Sequence, residues 1–305
     1  MAIQIFEVSP RDGLQNEKEI VPTEGKLELI QRLVDAGHQD IEVTSMVHPA
    51  WVPQLADAEI LLKSLPKNSS TRFWALIPNR KGMERALQVG IKHVATFMSA
   101  SQTHNRKNLN RTQEESLENI RIVTEMALDE GAQVRAYLST VFGCPYEGDV
   151  AIERSVALTQ KLLDLGIQQV SLGDTTGMGD PILVQKVLSK MQTAGIAMDS
   201  LALHMHDTQG SALANILMGY QMGIRTFDGS VGGVGGCPYA PGASGNVATE
   251  DMINMFHKMG LDTGIDLNKT AEAGVFLSSL LQKPLPGKYH QYYLGACKSS
   301  SRTTA

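Results

Sequence analysis

Residues 169–206 read QVSLGDTTGMGDPILVQKVLSKMQTAGIAMDSLALHMH, and this stretch decides the predicted fold. A short apolar run, Gln169–Leu172, leads through a turn into an amphipathic segment that begins with Pro181 and stops before Gly195. A second short run, Leu201–His206, follows. Proline in the first turn of a helix and glycine just beyond its end are common boundary signals. The stretch therefore predicts a strand–helix–strand unit, which is the building block of a parallel sheet.

The same alternation recurs along the whole chain. The predicted strands are Ile3–Val8, Asp40–Thr44, Arg72–Leu76, His93–Phe97, Val134–Ser139, Gln169–Leu172, Leu201–His206 and Thr226–Ser230. The amphipathic segments between and after them are Thr23–Ala36, Asn79–Val89, Thr112–Glu130, Ala151–Leu165, Pro181–Ala194, Ser211–Met222 and Thr249–Met259. Eight parallel strands joined by right-handed crossovers close naturally into a barrel.

The alternative architecture is an open, doubly wound sheet. Such a sheet usually has fewer strands and a glycine fingerprint after the first, whereas residues 9–13 read SPRDG. We therefore predict an α/β fold, a (β/α)8 TIM barrel over about residues 3–260. A further helix, Leu267–Leu281, and a polar tail belong to residues 261–305, and one catalytic domain is expected to span 1–305.

Composition excludes several function classes. The 305 residues are 42% hydrophobic and 19% charged, so a large core is expected. A net charge of −5 and a pI near 5.9 argue against nucleic-acid binding. No apolar run approaches the roughly 18 residues of a membrane span, so no membrane association is expected.

The compartment is predicted from both the N-terminus and the thiols. Strand-like residues begin at once, which leaves no room for a signal peptide. Three scattered cysteines, Cys144, Cys237 and Cys297, are too few for a disulfide framework. We therefore expect a cytoplasmic protein with free thiols.

Polar side chains gather where the predicted strands end, as the active site of a barrel requires. The residues at these ends are Arg11, Asp12, Glu42, Asp174, His204, His206 and Cys237. Because all eight strands run in the same direction, these residues should meet at one mouth of the barrel.

The sequence His204-Met205-His206 is the strongest local signal. Alternation along a strand points both imidazoles to one side and Met205 to the other. Two imidazoles with a carboxylate suit Mn²⁺, or Mg²⁺ where oxygen ligands are added. Asp12 is the obvious carboxylate, and Asn246 or water could complete the shell. A lone His-x-His motif is more often two satisfied histidines, but its place at a strand end favours a metal.

Three other polar residues have competing interpretations. Arg11 is either a cation that stabilises an oxyanion or part of an ordinary turn. The buried Glu42 needs a partner, either the metal shell, which we favour, or an arginine. Asp174 is either functional or the cap of the following helix.

The glycine-rich stretch 229–245 contains seven glycines and Cys237. It lacks both nucleotide-loop patterns, because no G-x-G-x-x-G and no G-x-x-x-x-G-K-[ST] is present. We interpret it as a mobile lid whose thiol approaches the metal, although a single cysteine is more often inert packing. Cys144 is interpreted as structural.

The segment His104–Arg111 is predicted to be a positively charged loop after the fourth strand. Charge runs are usually solvated surfaces, and this interpretation has more weight. The alternative is a landing site for the phosphates of a nucleotide-like substrate.

Several motifs resemble those of one family, in that family's order. They are PRDGLQNE at 10–17, IEVTS at 41–45 with WVPQ at 51–54, GCPYEG at 143–148, SLGDTTG at 171–177, HMHDTQGSALAN at 204–215 and SVGGVGGCPYAPGASGN at 230–246. Together they resemble the 3-hydroxy-3-methylglutaryl-CoA lyases, a branch of the metal-dependent lyase and Claisen-synthase barrels. The resemblance runs from about Ile5 to about Asp251. Where the family usually carries Ala and Leu, this chain has Gly232 and Val234, changes expected to loosen the lid.

The resemblance implies a set of roles by position. It implies the metal ligands Asp12, His204, His206 and Asn246, and the catalytic residues Arg11, Glu42, Asp174 and Cys237. Arg11 would stabilise the substrate carbonyl oxygen, and Cys237 would be the acid/base thiol. Glu42 and Asp174 would be carboxylates near the substrate hydroxyl.

The implied reaction is a metal-dependent retro-Claisen cleavage of 3-hydroxy-3-methylglutaryl-CoA to acetyl-CoA and acetoacetate. The implied cofactor is Mg²⁺ or Mn²⁺, the partner is the acyl-CoA substrate, and the expected assembly is a homodimer. A related synthase or a hydroxy-oxo-acid aldolase is the alternative enzyme. A metal-binding barrel without activity is the alternative outside catalysis, although every proposed catalytic position holds a competent side chain.

Overall fold

A computed structural model describes residues 2–67, 69–236 and 245–303 of the chain. Within these residues eight parallel strands form a closed barrel in sequence order, and β8 pairs with β1. The strands are β1 Gln4–Glu7, β2 Asp40–Ser45, β3 Arg72–Leu76, β4 His93–Ser99, β5 Gln133–Ser139, β6 Gln169–Asp174, β7 Leu201–Met205 and β8 Thr226–Gly229. The TIM barrel predicted from the sequence is confirmed.

Helices alternate with the strands and cover the outside of the barrel. They are α1 Thr23–Asp35, α2 Ala58–Lys63, α3 Arg80–Gln88, α4 Gln102–Leu109, α5 Gln113–Asp129, α6 Ile152–Asp164, α7 Pro181–Thr193, α8 Ala212–Gln221, α9 Thr249–Lys258, α10 Leu267–Leu281 and α11 Lys288–Thr303. No helix of the described chain is long and apolar enough to cross a membrane.

The boundary signals in the sequence correspond to real hydrogen bonds. The Asp180 carboxylate accepts the amides of Ile182 and Leu183 at 2.8 and 3.0 Å, which fixes the start of α7. Gly195, just beyond its end, has φ of +81°, a conformation that favours glycine. Thr112 forms a capping box with Glu115 at the start of α5.

Three helices, α2, α4 and α11, lie where the sequence predicted none. The segment His104–Arg111, predicted to be a loop, lies largely in α4, because Ser101 caps the helix by accepting the amide of His104 at 3.0 Å. The buried Asn105 amide then donates to the carbonyl of Arg111 at 2.9 Å and closes the following turn. Arg106 is exposed, so its charge projects from a helix and not from a loop.

The predicted polar tail is also wrong, since residues 288–303 form α11. The Asp251 carboxylate, on α9, accepts the amides of Lys288 and Tyr289 at 2.9 and 2.6 Å and thus supplies the start of this helix. His290 is fully buried, which docks the first turn. Cys297 is exposed on α11. The carboxylate that caps α11 belongs to Asp251, which lies far away in the sequence. Local helix propensity alone therefore does not predict this helix.

Candidate active site

The first strand is followed by a tight π-helical turn, Ser9–Gly13. The Val8 carbonyl accepts the amides of Arg11, Asp12 and Gly13 at 3.2, 2.8 and 3.2 Å. A Cβ on Gly13 would lie 2.7 Å from the Ser230 hydroxyl, so the turn packs closely against the end of β8. This turn places the side chains of Arg11 and Asp12 together at the carboxyl end of the barrel.

Asp12, His204 and His206 form a cluster of potential metal ligands. One ligand atom from each lies within 4.8 Å of the others. The two Nε2 atoms are 3.3 Å apart, and Nε2 of His204 lies 4.0 Å from Asp12 Oδ2. Met205 points away and is buried in the hydrophobic core. The alternation predicted for this strand is therefore present, and two imidazoles with one carboxylate fit a divalent cation.

The electrostatics of the cluster match that ligand set. Burial acts to raise the pKa of Asp12, but Arg11, His204 and His206 outweigh it and hold the pKa well below its usual range. Burial, and then His204, lowers the pKa of His206 to about 3. At neutral pH the site therefore offers an ionised carboxylate and, at His206, a neutral imidazole with a free lone pair, as metal ligation requires.

Asn246 lies beside the cluster, but its amide is turned toward oxygen acceptors. Nδ2 donates to Asp12 Oδ2 at 2.8 Å and to the Val234 carbonyl at 3.2 Å. The residue is buried, and its backbone pairs with His206 in an isolated antiparallel bridge. In this arrangement Asn246 orients Asp12, and direct ligation through Oδ1 would require the amide to turn.

Of the two partners expected for Glu42, the structure shows the arginine. Arg11 Nε donates to Glu42 Oε1, and Arg11 Nη1 donates to Asp12 Oδ1. The Tyr137 hydroxyl donates to Glu42 Oε2 at 2.6 Å. Burial opposes the charge on Arg11, but Glu42 and then Asp12 raise its pKa above the ordinary value. Arg11 is thus a fixed cation, beside the metal cluster, that stays charged at any working pH.

Asp174 ends β6 and holds the turn that follows it. Its two carboxylate oxygens each accept one backbone amide, from Met178 and Gly179, both at 3.0 Å. The cap of α7 is Asp180, so the interpretation of Asp174 as that cap is wrong. Burial outweighs these hydrogen bonds and raises the pKa of Asp174 to about 6. A carboxyl group with such a pKa can exchange protons near neutral pH.

Sequence reasoning missed a set of polar residues inside the barrel. They are Arg135 and Tyr137 on β5, Ser171 on β6 and Asp228 on β8. Arg135 pairs with Asp228 at 2.9 Å, and both side chains are fully buried. The sequence shows only that Arg135 and Tyr137 are two apart on one strand and so point to the same side; it does not show which residues they meet there.

The start of the glycine-rich stretch is held by two buried glutamates. Glu7 Oε1 accepts the amide of Val231 at 3.1 Å, and Glu250 accepts that of Gly232 at 2.9 Å. The Gly232 carbonyl accepts the amide of Gly287 at 2.9 Å. A Cβ at Gly232 would meet Leu285 at 2.3 Å, so glycine here permits close packing and does not loosen its surroundings.

Two cysteines were given roles from the sequence, Cys237 and Cys144. Cys237, predicted to be the acid/base thiol, lies outside the described residues, as do residues 238–244 of the predicted lid. Cys144 is buried, and its thiol donates to the Ser101 hydroxyl at 3.0 Å, in keeping with a structural role.

Glu250→Gln is expected to flatten the pH dependence of stability. Burial raises the pKa of Glu250 to about 8, against an ordinary value of 4.5. Between these values the folded protein binds more protons than the unfolded chain, so the free energy of unfolding should fall as pH rises, by up to ~1.4 kcal/mol per pH unit. Urea denaturation of both proteins at pH 5 and pH 8 measures the difference.

The control is Glu153→Gln, which changes a glutamate that is 76% exposed. This variant should keep the pH dependence of the wild-type protein. Equal slopes for the wild-type protein and Glu250→Gln would contradict the expected titration.

The fold and the cluster together define a class of protein. A closed parallel barrel that presents two histidines and an aspartate at the carboxyl ends of its strands has the architecture of a metal-dependent barrel enzyme. Comparison with known proteins then identifies the family within this class. The model of the HMGL-like family matches residues 2–276, and the chain belongs to that family.

Relatives of known name cover almost the whole chain. The hydroxymethylglutaryl-CoA lyase YngG of Bacillus subtilis is 47% identical over 291 residues, which are 95% of this chain and 97% of that protein. The crystal structure of the B. subtilis HMG-CoA lyase has a TM-score of 0.94 and 46% identity, covering 96% of this chain and 98% of that one. These findings confirm the resemblance inferred from the motifs.

A solved structure of an HMG-CoA lyase carries ligands. An HMG-CoA lyase from Acinetobacter baumannii, in complex with coenzyme A and 3-methylmalate, has a TM-score of 0.90 and 38% identity, covering 95% of this chain and 94% of that one. The carboxyl transferase domain of Rhizobium etli pyruvate carboxylase is 14% identical with a TM-score of 0.67, a likeness of fold alone.

Proposed function

We propose that this protein cleaves 3-hydroxy-3-methylglutaryl-CoA to acetyl-CoA and acetoacetate. The observation that carries the proposal is the convergence of Asp12, His204 and His206 beside the cation Arg11. It occurs in a chain that is 47% identical to a hydroxymethylglutaryl-CoA lyase over nearly its full length. The acyl-CoA thioester is thus the proposed substrate, and the reaction breaks a carbon–carbon bond.

Asp12, His204 and His206 would hold a divalent cation, with Asn246 joining them or orienting Asp12. We favour Mg²⁺ or Mn²⁺, because a carboxylate accompanies the imidazoles and the Asn246 amide, if it turned, would add a second oxygen ligand. When bound, such an ion lowers the pKa of the tertiary hydroxyl of the substrate and polarises a neighbouring oxygen.

Two different residues of the chain would carry out the two proton transfers of the reaction. Asp174, whose pKa near 6 suits exchange at neutral pH, would accept the proton of the C3 hydroxyl. The C3–O electrons form the new carbonyl of acetoacetate, the C2–C3 bond breaks, and its electron pair enters the enolate of acetyl-CoA. Arg11 would stabilise the enolate oxygen, while Glu42 holds the guanidinium in position. Cys237 would deliver a proton to C2 and complete acetyl-CoA.

The test of the reaction is product analysis with purified protein. Mass spectrometry of mixtures with 3-hydroxy-3-methylglutaryl-CoA should show equal amounts of acetyl-CoA and acetoacetate, with either Mg²⁺ or Mn²⁺ added. Longer-branched 3-hydroxyacyl-CoA analogues serve as competing substrates. Faster turnover of an analogue would move the assignment to another acyl group, and no cleavage of any acyl-CoA would overturn it.

Alkylation of Cys237 is expected to inactivate the enzyme. The thiolate is the form that such reagents attack, and a thiol that serves as the proton donor can no longer do so once it is alkylated. Bound metal with a substrate analogue should slow the modification, because a closed site excludes small reagents. Peptide mapping after iodoacetamide treatment, beside rate measurements, follows both effects.

Cys237→Ser is the matched control, since it keeps nearly the same size and removes the thiol. It should bind metal and substrate, lose most turnover and resist inactivation by the reagent. Cys297 is exposed on α11 and should be labelled without loss of activity. Wild-type turnover in Cys237→Ser would show that another group protonates C2.

The same proposal includes an oligomeric state, a compartment and a metabolic role. The chain would act as a homodimer, in the cytoplasm, in leucine degradation and ketone-body formation. The named relatives include a cytoplasmic lyase of Danio rerio and mitochondrial lyases of other species. Light scattering of the purified protein tests the dimer.

A further inference from the structure

A buried aspartate lies directly behind the metal cluster. Asp228 is on β8 and pairs in register with His204 on β7, so the two residues are neighbours across the strands. Its side chain is fully buried, and Asp228 Oδ2 lies 3.3 Å from Nδ1 of His204. The opposite ring nitrogen, Nε2, faces His206 and Asp12. His204 therefore stands between a carboxylate on one side and the metal cluster on the other.

The environment of Nδ1 of His204 offers few hydrogen-bond partners among the described residues. It is shielded from solvent and makes no aligned hydrogen bond to another described residue. The Asp228 carboxylate is thus the group in position to accept an Nδ1–H. A proton on Nδ1 leaves the lone pair of Nε2 free, which is the tautomer that a metal ligand at Nε2 requires.

The position of Asp228 is itself determined from two sides. Arg135 donates to Oδ1 at 2.9 Å, and the Ser171 hydroxyl donates to Oδ2 at 2.7 Å. The Arg135 guanidinium lies 3.7 Å from the centre of the Phe6 ring, which limits its own movement. Both oxygens of the carboxylate are therefore fixed before any ligand binds, and His204 meets a rigid acceptor.

We propose that Asp228 is a positioning residue for metal binding, which fixes the tautomer and the ring orientation of His204. The inference rests on the metal site of the proposed function. It does not require that the substrate be identified correctly, since the property it concerns is the affinity of the empty enzyme for the ion. Arg135 and Ser171 contribute by holding Asp228.

The competing explanation is that Asp228 and Arg135 form an ion pair that only supports the barrel. Such a buried pair would affect folding when broken, but not the metal affinity of the protein that remains folded. Metal affinity and stability must therefore be measured separately, and a second buried carboxylate is needed as a control.

Asp40 provides this control. It begins β2 inside the same barrel, is buried, accepts Arg72 Nε at 2.7 Å and accepts the indole of Trp74 at 2.8 Å. Asp40→Asn thus removes the charge of a buried carboxylate whose partners are not metal ligands, although its arginine, Arg72, is 40% exposed.

The experiment measures Mn²⁺ binding by electron paramagnetic resonance, without substrate, in the wild-type protein, Asp228→Asn, Ser171→Ala and Asp40→Asn. Asp228→Asn should weaken Mn²⁺ affinity about 10- to 100-fold, the usual effect of losing a carboxylate behind a ligating histidine. Ser171→Ala should show a smaller loss, and Asp40→Asn should bind as the wild-type protein does. Wild-type affinity in folded Asp228→Asn, or an equal loss in Asp40→Asn, would overturn the proposal.

A measurement on the wild-type protein covers the case in which Asp228→Asn does not fold. Nitrogen-15 NMR of labelled histidines in the metal-free protein, assigned with His204→Gln, reports which ring nitrogen of His204 carries the proton. A proton on Nδ1 is the expected result, and a proton on Nε2 alone would overturn the proposal. If the proposed metal site itself were wrong, His204→Gln would bind Mn²⁺ as tightly as the wild-type protein. That result is distinguishable from failure of the Asp228 proposal.

Discussion

Asp12→Asn is expected to leave the barrel folded, to reduce metal affinity by about two orders of magnitude or more, and to abolish most turnover. Asp12 is the anionic member of the cluster with His204 and His206, and its ionised form is favoured by Arg11. Asparagine has nearly the same shape but carries no charge, so the cavity is preserved while the attraction for a divalent cation is reduced. Mn²⁺ binding, thermal melting and turnover are measured on one preparation.

His204→Ala should behave in the same way, because it removes a second ligand from another strand. The matched control is His257→Ala, which changes an exposed histidine on α9 that contacts Thr263. Near wild-type metal affinity and activity in either cluster variant would show that the metal site has been assigned to the wrong residues.

Arg11→Gln is expected to reduce turnover by about two to three orders of magnitude, the scale for loss of one oxyanion donor. The guanidinium is buried and held by Glu42, so it is already oriented before the enolate forms. Metal affinity should stay within a few-fold of the wild-type value, since all three ligands remain. The measurement is kcat and KM with saturating metal, beside Mn²⁺ binding.

Arg11→Lys separates charge from geometry at this position. Lysine keeps the positive charge but cannot reproduce the planar donor fork that meets both Glu42 and Asp12. An intermediate rate is therefore expected. A rise in KM with unchanged kcat in Arg11→Gln would instead indicate a residue that binds the substrate and its transition state equally well.

Much of the fold could be predicted because the signals are local. Apolar runs, helix caps and glycines just beyond helices, such as Asp180 and Gly195, act within a few residues of the boundaries that they define. Helix α11 could not be predicted in this way, because its first amides are accepted by Asp251 from another helix. Helix α4 was missed because its polar sequence resembles a solvated loop, although Asn105 is buried.

The candidate site was predictable where residues lie at strand ends, as His204 and His206 do. The supporting residues were not, because pairings such as Arg135 with Asp228 join strands 93 positions apart in the chain. An arginine in an apolar strand indicates that a buried anion must exist, but not which one. For the same reason, the sequence could not decide whether the partner of Glu42 is an arginine or the metal shell.

The contact between Gly232 and the segment Leu285–Gly287 has a consequence for biosynthesis. Gly287 emerges from the ribosome more than fifty residues after Gly232, so the last of these contacts forms only when most of the chain has been made. The strand-end ligands can assemble earlier, since β8 closes the barrel before that point. A nascent chain in which Gly287 has not yet emerged would therefore have a closed barrel but would lack the contact between Gly232 and Leu285–Gly287, so the last packing contact of Gly232 should form late in translation.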